Sequence, residues 1–419
     1  MSRFDIETLL SLTRLGRCVV APDGRYAVCE LTHHSIEGNT ASTQLSRIDL
    51  KSGAMASVAL DGESNKAPTF SPDGQSLYFL SKRGQSAQIW ALNLASGVQT
   101  QLSEERDAIT GFHPTPDGTA ILFTREETPE GEVPSEHSSN TLLFRHWDHW
   151  RDRTWSRLCR LDLSTGSVST ISPDGYDCPP LGLHGVRDFD VSPANDAMAF
   201  VYKPDTMAAR GTNMSVFTTG WPNVGGEERV TQSGACEFNP RFSPDGQYLA
   251  WQGMRRPGYE ADRLEIWIRN QATGEIRSLT DALDRSVRTY AWSRDGEAVL
   301  FDCGDHGRRT VYRVGLDGTE PEVLVQGRFS SLVAELQNGD LLLSIESVTG
   351  PADLYRWSAI DGELTQLTEL NQGAGLEALP SVTDFWATGA DGDPVHGLLI
   401  PPHERVDGAK VPLVVFIHG

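Results

Sequence analysis

Ser71-Pro72-Asp73-Gly74-Gln75-Ser76-Leu77-Tyr78-Phe79-Leu80 reads as a tight turn that delivers the chain into a strand. Proline presets φ near about −65°, aspartate accepts a hydrogen bond from the backbone just after it, and glycine tolerates positive φ. Four apolar or β-favouring residues, Leu77-Tyr78-Phe79-Leu80, follow after Gln75-Ser76, as a strand requires. The same signal recurs at Pro22-Asp23-Gly24, Pro116-Asp117-Gly118, Pro193-Ala194-Asn195, Pro244-Asp245-Gly246, Arg294-Asp295-Gly296 and Gln337-Asn338-Gly339. The successive spacings are roughly 50, 44, 77, 51, 50 and 43 residues, the length of a four-stranded propeller blade.

A second signal runs in step with the first. Each block carries a strand that ends in a polar turn with glycine, as in Ile89-Trp90-Ala91-Leu92 to Gly97, Ile266-Trp267-Ile268 to Gly274, and Val311-Tyr312-Arg313-Val314 to Gly318. A short strand such as Gln99-Thr100-Gln101 closes the block. Ser172-Pro173-Asp174-Gly175 matches the turn but runs into Pro179-Pro180, which a central strand does not accept, and it reads as a loop between blades. The expected fold is therefore all-β, a seven-bladed β-propeller of TolB/WD40-like repeats. Residues 1–18 form a lead-in segment, with a helix over Ile6 to Leu15. Residues 19–375 form the propeller, and residues 376–419 form a different unit.

That last unit contains Leu413-Val414-Val415-Phe416-Ile417, an unbroken apolar run suited to a strand buried on both faces of a parallel sheet. His418-Gly419 follows it. No run approaches the ~20 apolar residues of a membrane-spanning helix. Met1-Ser2-Arg3-Phe4-Asp5 carries no signal-peptide pattern, so a cytoplasmic location is expected. A formal net charge of −21 disfavours nucleic acid, whose phosphates attract lysine and arginine. Such a charge could steer cationic ligands, including free peptide amino termini. Cys18, Cys29, Cys159, Cys178, Cys236 and Cys303 form no C-x-x-C pair and read as buried thiols. No metal and no cofactor are expected.

The repeats resemble those of TolB-like proteins and of the prolyl oligopeptidase (S9) family of serine peptidases. The tail decides between them. It looks like the opening strands of an α/β-hydrolase domain, and His418-Gly419 resembles the start of the His-Gly-Gly-Pro loop that family members place beside the oxyanion hole. Arg145-His146-Trp147-Asp148-His149-Trp150, inside the stretched interval, and Met254-Arg255-Arg256-Pro257-Gly258-Tyr259-Glu260-Ala261-Asp262-Arg263 look like segments of the dipeptidyl-peptidase V and acylaminoacyl-peptidase branch. No G-x-S-x-G occurs. The resemblance thus implies the propeller portion of a peptidase, truncated at the start of its hydrolase domain and inactive alone. Its partners would be a peptide substrate and the missing hydrolase domain; a homo-oligomer is compatible with the sequence.

The resemblance also nominates site residues. Glu260 and Asp262 would grip the substrate's α-ammonium through charge-assisted hydrogen bonds. The competing reading is a loop salt bridge to Arg255, Arg256 or Arg263, which is favoured for Asp262 and evenly weighed for Glu260. Trp147 and Asp148 would wall the substrate cavity, against a packing role for the tryptophans and an Arg145–Asp148 pair. His146-x-x-His149 lacks a third metal ligand. His33, His34 and His113 read as loop residues. The rival function is a TolB-like propeller acting as a non-catalytic protein- or peptide-binding module.

Overall fold

The computed structural model describes residues 4–128, 145–146, 149–150, 154–181, 188–204, 211–376, 379–402, 408 and 410–417. The architecture is all-β with almost no helix. The α-helix among the described residues, Ile6–Ser11, is capped by Asp5, whose carboxylate accepts the Thr8 N–H at 2.8 Å. It is shorter than the expected Ile6 to Leu15, because Leu12 is already extended and Arg14 opens a strand. The first sheet therefore begins inside the segment read as a lead-in.

Five four-stranded antiparallel sheets follow the chain, four of them built from consecutive strands and the third interrupted by the two-stranded ladder of Arg145–His146 and His149–Trp150. The first runs from Arg14–Val20 to Met55–Ser57, the second from Asn65–Phe70 to Gln99–Gln101, and the third from Ile109–Pro114 to Val168–Thr170. The fourth runs from Phe189–Val191 to Glu228–Arg229, and the fifth from Glu237–Phe242 to Ile276–Ser278. An eight-stranded sheet completes the series. Its halves, Val287–Trp292 to Glu322–Val325 and Phe329–Glu335 to Leu364–Gln366, repeat the same four-strand order and join through one parallel bridge, Arg309 to Phe329. These halves are the sixth and seventh units below.

The turns form as their chemistry requires. In the quoted stretch Gly74 has φ +69° and donates its N–H to the Ser71 carbonyl at 2.8 Å. The Ser71 hydroxyl donates to Asp73 at 2.6 Å, and Asp73 accepts the Gln75 N–H at 3.0 Å. Ser243 with Asp245 and Ser293 with Asp295 repeat the pair at 2.6 Å, and Thr115 with Asp117 at 2.7 Å. Ser172-Pro173-Asp174-Gly175 lies outside the strands, as its prolines dictate.

Apolar layers form between neighbouring units rather than inside any one of them. Phe70, Leu77 and Phe79 of the second unit pack on Val28 and Leu45 of the first. Trp251 and Leu249 of the fifth pack on Val201 and Val216 of the fourth. The series continues to Leu336, Leu342 and Leu354 of the seventh unit, which pack on Ala27, Cys29 and Ile48 of the first. Sheet faces of this kind exclude water on both sides, which explains their apolar strands.

The first strand of several units is bulged. Ala67 (φ +53°) and Asn239 (φ +56°) sit at register slips of the second and fifth units. A carboxylate from the preceding unit satisfies each freed amide. Glu30 accepts the Ala67 N–H at 2.6 Å, and Asp188 accepts the Asn239 N–H at 2.8 Å. Asp302 does the same for Leu332 of the seventh unit at 3.3 Å. A buried amide left without a partner costs about 1–3 kcal/mol, so these carboxylates hold the bulges and tie neighbouring units together.

Beyond the last unit, Thr383–Thr388 and Pro394–Leu399 form a hairpin. The run Leu413–Ile417 is not a strand here. It is exposed, Phe416 by 91%, because no described residue pairs with or covers it. His33 and His34 lie in the strand Tyr26–Ser35 and His113 in Ile109–Pro114, so all three are strand residues rather than loop residues. No helix among the described residues is long and apolar enough to cross a membrane.

Candidate functional site

Strand order places the candidate segments in equivalent positions. Residues 254–264 connect the second and third strands of the fifth unit. Residues 128–154, which contain Arg145 to Trp150, make the same connection in the third unit, and Asp305–Arg308 make it in the sixth.

Hydrogen bonds join the connections of the fourth, fifth and sixth units into a rim. Gly258 donates its N–H to Thr212 Oγ1 in the fourth unit's connection at 3.1 Å. Arg263 donates to the Asp281 carbonyl at 3.2 Å, and Arg255 pairs with Asp281 at 2.6 Å. Arg285 pairs with Asp305 at 2.9 Å, and His306 Nδ1 lies 2.6 Å from the same carboxylate. The rim ends on the C-terminal hairpin. Arg308 pairs with Asp384 at 3.1 Å, Asp384 lies 2.9 Å from His396 Nε2, and the His306 ring sits 5.7 Å from Trp386. At Gly307 (φ +65°) a Cβ would lie 2.8 Å from His396 Cε1, so the hairpin needs glycine at that turn.

Within this rim Glu260 and Asp262 part company. The Asp262 side chain is 8% exposed, and both its oxygens are committed. One accepts the Arg255 and Arg256 backbone N–H groups at 2.9 and 2.8 Å; the other accepts Arg256 Nε at 2.8 Å. Although burial opposes it, these hydrogen bonds hold the Asp262 carboxyl down at about 2. Asp262 is thus built into the loop, the salt-bridge reading of the sequence. Glu260 is exposed, with no hydrogen-bond or ion-pair partner among the described residues. Beside it, the Arg256 guanidinium lies 4.0 Å over the Tyr259 ring, a cation–π contact.

Sequence reading missed the residue that anchors the loop. Glu265 is buried and accepts two parallel hydrogen bonds from Arg255, at 2.7 and 2.8 Å. It also accepts from Arg263 at 2.6 Å and Ser278 at 2.7 Å. These donors outweigh burial and hold its carboxyl below the usual range. The available signal was a lone charge in the apolar strand Glu265-Ile266-Trp267-Ile268, with arginines nearby to match it.

Trp147, Asp148, His418 and Gly419 lie outside the described residues. His146 and His149 are register partners in a two-stranded ladder, where Arg145 stands 6.0 Å over the exposed Trp150 ring. Among the described residues no three His, Cys, Asp or Glu side chains converge as metal ligands. A separate cleft of about 680 Å³ opens where the seventh unit meets residues 369–376 and 381–382, lined by Arg308, Arg328, Glu346, Tyr355 and Glu369.

No protein-family model matches the chain. It is similar to dipeptidyl-peptidase 5 of Porphyromonas gingivalis, 25% identical over 433 residues, covering 99% of this chain and 63% of the relative. Dipeptidyl-peptidase 5 of Schizosaccharomyces pombe is 23% identical over 437 residues, with 99% and 63% covered. The chain therefore spans about 63% of the length of these relatives. Among solved structures, Pyrococcus horikoshii acylaminoacyl peptidase superposes with a TM-score of 0.75 at 20% identity, covering 98% of this chain and 61% of that one. The β-propeller domain of the Trilobed protease from Pyrococcus furiosus superposes with a TM-score of 0.59 at 17% identity, covering 86% and 99%. The structural likenesses concern the fold.

Proposed function

We propose that this chain, which belongs with the S9 (prolyl oligopeptidase) family of peptidases, is the substrate-gating propeller of a serine peptidase that releases dipeptides or N-terminal residues from short peptides. One observation carries the reading. Similarity to the peptidases runs through 99% of this chain yet reaches only 63% of theirs, and no G-x-S-x-G occurs in it. The catalytic serine, aspartate and histidine would belong to the remaining portion, where serine attacks the peptide carbonyl, histidine carries the proton and aspartate orients histidine. The 419 residues alone would then not hydrolyse peptides.

The propeller reading is of seven blades over residues 19–375. It is supported by the recurring four-strand units and by the apolar layer between the seventh unit and the first. Residues 376–419 would open the α/β-hydrolase domain, with the hairpin as its first strands and His418-Gly419 starting the oxyanion loop. The rim that meets the hairpin would then face the active site. Glu260 is an exposed carboxylate beside that rim, without an ion-pair partner among the described residues, and the group we assign to the substrate α-ammonium, with Asp262 shaping the loop beneath it. Trp147 and Asp148 would wall the same cavity. The enzyme would act in the cytoplasm on soluble peptides, without metal or cofactor.

Kinetics of the complete enzyme test this. Glu260→Gln should lower kcat/KM for dipeptide release at least about tenfold, the loss of one charge-assisted bond. An N-blocked substrate should be cleaved as before. An equal fall for both would refute the amine-binding role. Turnover of chromogenic dipeptidyl substrates by the 419 residues alone would refute their inactivity.

A further inference from the structure

Cys18 and Cys29 are register partners on adjacent antiparallel strands of the first unit. Directly opposed residues in such a ladder have Cα atoms about 4.5–5.5 Å apart, inside the ~4.4–6.8 Å range that a disulfide spans. Both side chains lie on one face, in the apolar layer between the first and seventh units, beside Leu336, Leu342 and Leu354. Cys29 is buried, whereas Cys18 is partly exposed and so open to a reagent. Burial raises the Cys29 thiol well above its usual range, and the neighbour that adds most to this is Cys18. Among the described residues no other cysteine has a cysteine as register partner. The ladder slips between Leu15 and Cys18, so the pair stands where regular pairing of the first strand resumes after the slip.

We propose that Cys18 and Cys29 are an oxidation site that forms a reversible cross-strand disulfide and staples the first strand beside the junction of the first and last units. With a peroxide as oxidant, the Cys18 thiolate attacks the peroxide oxygen, giving a sulfenic acid and releasing hydroxide, which a proton turns to water. The Cys29 sulfur then attacks the Cys18 sulfur. The S–S bond forms, the S–O bond breaks, and the Cys29 proton leaves with that oxygen as a second water. With a low-molecular-weight disulfide as oxidant, Cys18 forms the mixed disulfide and Cys29 displaces the second thiol. Thiolate is the nucleophile, so the raised Cys29 thiol makes the second step slow at neutral pH and faster as pH rises.

Trypsin makes the product readable. Cleavage after Arg17, Arg25 and Arg47 separates residues 18–25 from residues 26–47, which then stay together only through the disulfide. The full chain is treated with hydrogen peroxide or glutathione disulfide, alkylated and digested without reductant. The expected result is the linked pair, a mass loss of about 2 Da reversed by dithiothreitol, and faster formation at about pH 9 than about pH 7. Cys29→Ala should stop at the Cys18 sulfenic acid or glutathione adduct. The oxidised chain should melt a few degrees higher than the reduced one. Oxidation of Cys18 with Cys29 still alkylatable after denaturation, or a disulfide among other cysteines, would overturn the site. An unchanged melting temperature with the bond present would overturn the staple. The wild-type peptide map decides the matter even where Cys29→Ala fails to fold.

Discussion

Gln337 donates a side-chain N–H to the carbonyl of Pro22 at 2.8 Å, across 315 residues of sequence. The contact belongs to a series. Gly74 packs against Pro22, Gly118 against Pro72, Gly246 against Pro193, and Gly296 against Pro244, each turn resting on its predecessor. Gly24 rests on Gln337 in the same way. The first turn thus treats the last as its predecessor, and glutamine at the proline position adds a hydrogen bond that proline could not make. Thr13 and Asn371 reinforce this joint. The Thr13 N–H donates to the Asn371 side-chain Oδ1 at 2.8 Å, and the Asn371 side-chain Nδ2 donates to the Thr13 carbonyl at 3.0 Å. Among the described residues, no strand of one end enters the sheet of the other.

A joint made by side chains should be sensitive to them. Asn371→Ala leaves an amide and a carbonyl of Thr13 unsatisfied in a part-buried setting, and should cost about 1–3 kcal/mol. Gln337→Ala removes one exposed bond and should cost about 0.5–1.5 kcal/mol. Urea unfolding should show both as a lower midpoint with unchanged slope. A loss of slope in Asn371→Ala would mean instead that the terminal units unfold separately.

Asp262 sets the shape of the 254–264 loop. Asp262→Asn should cost about 1–3 kcal/mol, because its amide nitrogen would meet the N–H donors of Arg255 or Arg256. The carboxyl is held at about 2, below its unfolded value. Its stabilising contribution is therefore full above about pH 4 and is lost as pH falls through about 2. The stability gap between wild type and variant, read from urea midpoints, should close over that window and stay constant above it.

The hairpin is fastened to the sixth unit through Arg308, Asp384 and His396. Asp384→Asn removes the charge that both partners share, and partly exposed pairs of this kind are worth up to about 1 kcal/mol each. The expected outcome is several-fold faster proteolytic cleavage after Thr383, with cleavage in the seven units unchanged. Equal protection in both proteins would show that Trp386 packing alone holds the hairpin.

What the sequence made legible was local. A hydroxyl, proline, aspartate and glycine within four residues make their own turn, so the repeat was readable wherever they occur. The carboxylates that cap the bulges were not, since Glu30 reaches Ala67 across 37 residues and Asp188 reaches Asn239 across 51. Their spacing follows the length of the repeating four-strand unit rather than a local period. Glu260 and Asp262 were found together but not told apart, because the difference is how many N–H groups the backbone aims at each. Leu413–Ile417 was expected to be buried, yet an apolar run is buried only where neighbouring strands exist to cover it, and none does among the described residues.

Asp188 carries the sharpest pH dependence. It is buried, its Oδ1 accepts the Asn239 N–H, and its Oδ2 has no hydrogen-bond partner. Burial raises its carboxyl to about 6, with the Asn239 amide and Arg241 opposing. The folded state thus binds this proton more tightly than the unfolded chain, whose value is about 3.9. The contribution is full below about pH 4 and is lost as pH rises through about 6, the reverse of Asp262. A shift of this size is worth on the order of 3 kcal/mol. Asp188→Asn keeps an acceptor for Asn239 and has no charge to bury. Wild-type stability relative to the variant should therefore fall between about pH 4 and about pH 6 and level off above. A difference that is flat across that range would mean that Asp188 is ionised throughout, its charge balanced by Arg241.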